Sequence, residues 1–378
     1  MKHTETIKLF IAGDFCSSDP ESVIIGDSLK KIIDDSDLKI LNFEGPLPVG
    51  AYVGGANHYL KQSKLSPSWC IKNGFNIVGL ANNHACDFGE EGLKSTEDAF
   101  SDIITLGTGS WDDAYKIRII EINGKKIGLF SATSADFSSL KNKFDDKDKY
   151  GCPWINHVSV PKLISDARDK CDFIIILPHA GVEFMDVPLP EWREIYYNLI
   201  DSGADAVIAS HPHVPQGWEY YKGKPIFYSL GNFVFDTSIQ SVHSYWNNGI
   251  VVKLELVGNK IKVFPHLIAC DNGYVEIDNS FKMSEHFNTI CKILLSQNEY
   301  IECVNNDILN IYKKYQTWLL YGLSSFQLRP ISFCNMLRLV KAIFGYKMNY
   351  KLAMHQLRED STRFVLERAY KLLSKTQF

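Results

Sequence analysis

Read from the amino terminus, the hydrophobic positions fall in short runs, and each run stops on polar residues. IKLFIAGD (7–14), LKILNFE (38–44), FNIVGLANN (75–83), CDFIIILPH (171–179) and ADAVIASH (204–211) all follow this rule. Runs without alternation predict strands covered on both faces, since a half-exposed strand would show a period of two. Between them the spacing turns helical, as in DFGEEGLKSTEDAFSDI and LPEWREIYYNLIDSG. Asp87 is the expected cap of the first helix, with acidic residues following at the positive end of the helix dipole. The second opens after a proline and closes on Gly203. Asn123-Gly124, Lys222-Gly223 and Gly258-Asn259 separate strand-like segments and predict hairpins. The pattern as a whole predicts a mixed α/β sheet system with helices on the outside.

After about residue 275 the strand signals thin out and the chain reads helical. Two regions are therefore expected, a main α/β domain over 1–275 and a helical C-terminal region over 276–378. From Arg329 onward ten Lys/Arg stand against three acids, so this appendage is basic. It reads as a helical layer with a solvated basic face, and a surface for an anionic polymer, a membrane leaflet or a protein partner is the alternative. The stretch 138–151 is polar and charged and is expected to be a solvated loop. A net charge of -4 gives no reason to expect nucleic-acid binding. The nine cysteines include no CxxC pair, which suits a reducing compartment. No signal peptide precedes the first strand and no apolar run is long enough for a bilayer, so a cytoplasmic location is the expectation.

Chemistry-bearing residues gather where the runs stop. The first ends in Gly13-Asp14, the second in Asn42-Phe43-Glu44 and the third in Asn82-Asn83-His84; the fourth ends in His179, with Glu183 close behind, and the fifth in His211-Pro212-His213. In open α/β sheets, sites form outside the carboxyl ends of strands. One such residue would be a turn former or cap; five in the same topological place predict a site. Oxygen and imidazole donors without a thiolate cluster suit Mn, Fe or Zn in a catalytic rather than a structural site. Two such ions about 3.5–4 Å apart would suit a displacement at phosphorus. On a strand, positions i and i+2 share a face, so both His211 and His213 are expected to reach one point. The glycine-rich segment GAYVGGAN (50–57) lacks the residues of a phosphate loop. It is expected to form a loop at the site mouth, with His58 and Tyr59 in reach of substrate.

The ordered blocks GD, NFE, ANNHACDFGEEGL, PHAGVE and SHPHVPQGWEYYKGKPIFYSLGNFVFD resemble the bacterial capsule synthesis family, the CapA-type or poly-γ-glutamate assembly proteins. The resemblance covers about residues 7–270. It implies the four-layer α/β/β/α sandwich of calcineurin-like metallophosphoesterases, followed here by a helical appendage. It also implies roles. Asp14 would bind one metal, Glu44 would bridge, Asn83 would bind the second, and His179, His211 and His213 would complete the shells. His84 would be the acid for a leaving oxygen, Glu183 would orient a histidine or substrate group, and Asn232 would line the site or form a turn. One departure stands out: those enzymes read Asp-x-His after the first strand, where this chain has Asp14-Phe15-Cys16. Cys16 is either a soft ligand or a small buried thiol. The resemblance implies an anionic polymer or a phosphorylated small molecule as substrate. Two classes stay open, a metal-dependent hydrolase and a non-catalytic assembly or binding component on the same fold.

Overall fold

The computed structural model describes residues 6–53, 59–236, 244–321 and 358–374, with 314–321 as backbone only. Two sheets face each other. The first, of nine strands, runs in the order Ile24–Ile25, Tyr274–Ile277, Lys260–Asp271, Asn248–Val257, Ile7–Cys16, Leu38–Phe43, Ile77–Gly79 and Ile104–Leu106. Its ninth strand, Asn232–Phe235, pairs in parallel with the end of Ile7–Cys16. The second sheet runs Trp218–Tyr221, Lys224–Phe227, Ala206–Ile208, Phe173–His179, Lys125–Thr133 and Arg118–Ile122.

The period of two decides which face each side chain meets. Leu9 and Ile11 point inward and pack with Leu129, Ile175 and Ile208 of the opposite sheet, whereas Phe10 and Ala12 point outward. The outer face of the first sheet is covered by helices Asp27–Asp34 and Ser66–Lys72, through Leu29, Ile33 and Trp69. The outer face of the second is covered by helices Val160–Arg168, Pro190–Asp201, Phe281–Leu295, Gln297–Tyr321 and Asp360–Ser374. Fully buried side chains such as Trp192 and Tyr196 in that layer contribute about 1.5–3 kcal/mol each. The result is the four-layer α/β/β/α sandwich expected from the sequence, with C-terminal helices joined to one outer layer.

All three hairpins form. Asn123, Gly124, Lys222, Gly223 and Gly258 take positive φ there, as tight turns between twisted strands require. The change from strands to helices falls after Ile277. Other expectations need correction. The third and fifth strands are much shorter than their apolar runs, at Ile77–Gly79 and Ala206–Ile208. Beyond the latter only Ser210 still bridges to His179. The chain leaves the sheet there because His211 and His213 adopt φ of 103° and 60°, incompatible with a continuing strand. Asp87 caps nothing. The helix Gly89–Asp98 has no side-chain cap, and the Asp87 carboxylate instead accepts from the Leu60 amide at 2.8 Å. The polar stretch 138–151 is not wholly solvated. Ser138, Ser139 and Leu140 are buried, and the Asp146 carboxylate accepts from the amides of Lys141 and Asn142.

Most of the basic run after Arg329 lies outside the described residues. Within Asp360–Ser374, Arg363 pairs with Asp360 at 2.9 Å and Arg368 with Glu191 at 2.6 Å, so two of its charges are spent inside the molecule. Among the described residues no helix is long and apolar enough to cross a membrane.

Candidate metal centre

The strand Ile7–Cys16 delivers Asp14 between two neighbours. Parallel register sets it beside Asn42 on one side and Asn232 on the other. Gly13 makes this possible: a Cβ there would lie 2.0 Å from the Gly231 carbonyl oxygen. Asn42 Nδ2 donates to Asp14 Oδ1 at 2.8 Å and lies 3.1 Å from His179 Nδ1, and the His211 amide donates to Asp14 Oδ2 at 3.1 Å. The sequence shows Asn42 among the strand-end residues but assigns it no role.

Glu44 follows the next strand and is completely buried. Neither of its carboxylate oxygens has a hydrogen-bond partner. The groups that approach are imidazoles, with His213 Nε2 at 3.6 Å and His179 Nε2 at 3.9 Å from Oε1. His179 Nε2 also lies 2.9 Å from Asn83 Oδ1 and 3.1 Å from His211 Nδ1. His213 Nδ1 is 3.6 Å from Asp14 Oδ2 and 3.0 Å from Asn232 Oδ1. Six residues from five strand ends thus converge.

His211 and His213 do not meet the group as strand neighbours. Their convergence comes from a left-handed turn around Pro212, with ring centroids 6.0 Å apart. Such backbone persists only where the surroundings over-determine it, and it clusters at functional sites.

Burial sets the charge state. It raises Asp14 to about 6, against the pull of His213 and the hydrogen bonds from His211 and Asn42. Glu44 is pushed well above the usual carboxylate range by burial and by the charges of Asp14 and Glu183. His179 and His211 are held well below the ordinary imidazole value by burial, and His213 is lowered by burial against the charge of Asp14. The close His–carboxyl pairs are therefore neutral imidazoles beside reluctant acids. Neutral imidazole is the form that ligates a metal.

Two sets offer one donor atom each within 4.8 Å of one another: Asp14, Glu44 and His179; and Glu183, His211 and His213. Glu183, expected as an orienting residue, sits in the second set. A buried carboxylate without donors, ringed by neutral imidazoles, is costly as it stands and fits a cation.

His84 belongs to neither donor set, and its Nδ1 lies 2.8 Å from Asp87 Oδ2. Burial alone would lower its pKa, but the hydrogen bond and charge of Asp87 win and raise it. Asn232 is no turn residue. It opens the strand Asn232–Phe235, accepts from His213 and donates to the Trp246 carbonyl at 2.9 Å, so both ends of its amide are used in holding His213. Cys16 is buried beside Leu60, Phe235 and Trp246, its thiol 3.8 Å from the Lys61 carbonyl and pushed well up by burial and by Glu44. This is the surrounding of a small apolar thiol. His58 lies outside the described residues, while Tyr59 is partly exposed and packs on Tyr52 and Phe88.

The chain is 35% identical over 170 residues to the capsule biosynthesis protein CapA of Bacillus anthracis, covering 43% of this chain and 41% of that one. It is 33% identical over 208 residues to the PGA biosynthesis protein CapA of Bacillus subtilis (strain 168), covering 53% and 54%. The matches thus span about half the length of these curated relatives. A solved Staphylococcus aureus structure assigned as a 5′-nucleotidase aligns with a TM-score of 0.44 and 16% identity, over 77% of this chain and 58% of that one. The model of the bacterial capsule synthesis protein PGA_cap matches residues 13–237, which hold every residue of the candidate centre, and the chain belongs to that family.

Proposed function

We propose that this chain is a metal-dependent hydrolase of phosphoester-like bonds that works in the assembly of a capsule or poly-γ-glutamate type polymer. One observation carries the reading: the Glu44 carboxylate is fully buried, lacks any hydrogen-bond donor and faces neutral imidazoles. Asp14, Glu44, Asn83, His179, His211 and His213 would hold one or two divalent ions of the Mn, Fe or Zn class. When bound, such ions supply Lewis acidity toward a phosphoryl oxygen.

The chain's own residues do the rest. Asn42 and Asn232 orient Asp14, His179 and His213. Asp87 keeps His84 protonated to higher pH, and His84 holds a proton at Nε2 for the leaving oxygen. Glu183 adds a carboxylate beside His211 and His213, for the cation or for a substrate group. The substrate is an anionic polymer or a phosphorylated small molecule, not a nucleic acid. Residues 1–275 form the working domain and 276–378 a helical region, in a protein of the cytoplasm.

The second reading is a non-catalytic assembly or binding component. Cys16, a buried thiol where the phosphoesterases carry a histidine, favours it. Metal analysis of the purified chain, with a panel of nitrophenyl mono- and diesters before and after chelation, separates the two. Bound metal with chelator-sensitive turnover supports the hydrolase. Bound metal without turnover on any ester supports the binding component, and absence of metal overturns the hydrolase.

A further inference from the structure

The helix Asp360–Ser374 lies outside the family-matched segment, and its sequence pointed to no chemistry. Its first turn is nevertheless buried, with Asp360 at 0%, Ser361 at 3% and Thr362 at 8% exposure. A helix that merely covers a sheet buries apolar residues, so three consecutive buried polar ones call for partners.

The partners include the segment between His179 and Glu183 of the candidate centre. Asp360 Oδ2 accepts from the Ala135 amide at 3.2 Å and from the Trp154 indole at 2.8 Å. The Ser361 hydroxyl donates to the Gly181 carbonyl and accepts from the Trp192 indole at 3.2 Å. Glu359 closes the helix end, accepting from the amides of Ser361 and Thr362.

Gly181 links this clip to the histidines. It has φ of 148°, and a Cβ there would lie 2.7 Å from Pro212 Cγ. On either side of it the Ala180 amide donates to the Ser210 carbonyl and the Phe184 amide to the Pro212 carbonyl, each at 3.0 Å. Segment 180–184 is thus laced to the left-handed turn that presents His211 and His213. A cavity of about 200 Å³ lies between the two, lined by Asn83, Ser134, Glu183, His211, Glu359 and Thr362 among others.

We propose that Asp360 and Ser361 are positioning residues of the centre. By clipping the C-terminal helix to segments 134–136 and 180–184, they hold the strained His211-Pro212-His213 turn in place. They also make Glu359 and Thr362 a wall of the cleft beside it. The C-terminal helix is in this view part of the site rather than an appendage. The cleft's role toward substrate rests on the hydrolase reading; the positioning does not.

The test uses the full chain with Ser361→Ala, Asp360→Asn and Ser361→Thr, read by amide hydrogen exchange. Losing one buried hydrogen bond should speed local opening about five- to ten-fold. That acceleration is expected at 134–136, 180–184 and 210–214 but not in the strand Leu38–Phe43, and Ser361→Thr should restore the parent rates. Unchanged exchange in those segments overturns the proposal. So does equal acceleration everywhere, which would mean only global destabilisation. If Ser361→Ala does not fold, Asp360→Asn gives the same readout. In a second arm, manganese(II) titration of Ser361→Ala should show affinity several-fold weaker than the parent, and equal affinity counts against the proposal. A parent that binds no manganese, zinc or iron sinks the metal reading alone, and exchange still decides the clip.

Discussion

Replacing Glu44 by Gln separates the cost of the centre from its purpose. The carboxylate is fully buried and both of its oxygens lack donors, while Asp14 and Glu183 add repulsion. An unsatisfied buried polar group costs about 1–3 kcal/mol, and a charged one more. Gln has nearly the same shape, carries no charge and can donate toward the imidazole nitrogen 3.6 Å away. The cation-free variant should therefore be more stable than the parent by about 1–3 kcal/mol, a Tm increase of roughly 2–4 °C per kcal/mol or somewhat less in a chain this long. The sign with pH follows from the raised pKa of Glu44. Below about pH 4.5 the group is protonated both folded and unfolded, and the parent pays no ionisation penalty. As pH rises past that value the unfolded chain ionises first, the parent loses stability, and the gap to the variant widens. With cation the order reverses. A ligand at 100 times its Kd stabilises by about 2.7 kcal/mol, and the variant should forfeit this gain. The assay is thermal unfolding of both proteins with chelator, then with manganese(II) or zinc(II), at pH 5 and pH 8. A variant less stable than the parent in chelator, with an unchanged metal-induced shift, would refute the reasoning.

Three further outcomes follow from other parts of the molecule. His84→Gln should keep its metal content, yet lose ~10²–10⁴-fold in turnover on esters with poor leaving groups and much less on nitrophenyl esters; equal losses on both would remove the acid role. Gly13→Ala forces a Cβ to 2.0 Å from the Gly231 carbonyl, so the urea midpoint should fall by an amount equivalent to about 1–3 kcal/mol with unchanged slope; an unmoved midpoint would show that this contact yields freely. Asp35 is pulled down to about 2 by hydrogen bonds from Lys253 and Lys8, but the group is exposed, so Asp35→Asn should cost under about 1 kcal/mol at pH 7. Its pKa is lowered, so that contribution is present above pH 3.8 and fades as pH falls toward 2, and added salt should shrink it.

The sheets were legible because a buried strand writes its own signature: LFIAGD and FIIILPH contain no exposed position to interrupt the apolar run. The strand-end residues were legible for a related reason. Asp14, Glu44, Asn83 and His179 stand at the polar ends of such runs, and topology puts those ends together. The route taken by His211 and His213 was not legible. Spacing of two suggested a shared strand face, but φ is not written in spacing, and a proline-centred left-handed turn achieves the same convergence.

What escaped the sequence is how the candidate ligands are held. Asn42 and Asn232 were visible as strand-end or site-lining residues and Asp87 as a cap, but not their decisive contacts, each with a residue far away or across a turn. Asp360 and Ser361 are the extreme case. Their partners Ala135, Trp154 and Gly181 lie 180 or more positions upstream. A helical period reports only which face is apolar, and two polar residues at a helix start read as a cap. Only the fold turns that start into a clip on segment 180–184, which is laced in turn to the His-Pro-His turn. Candidate ligands are found at strand ends by chemistry; the contacts that position them are found only by where distant segments come to rest.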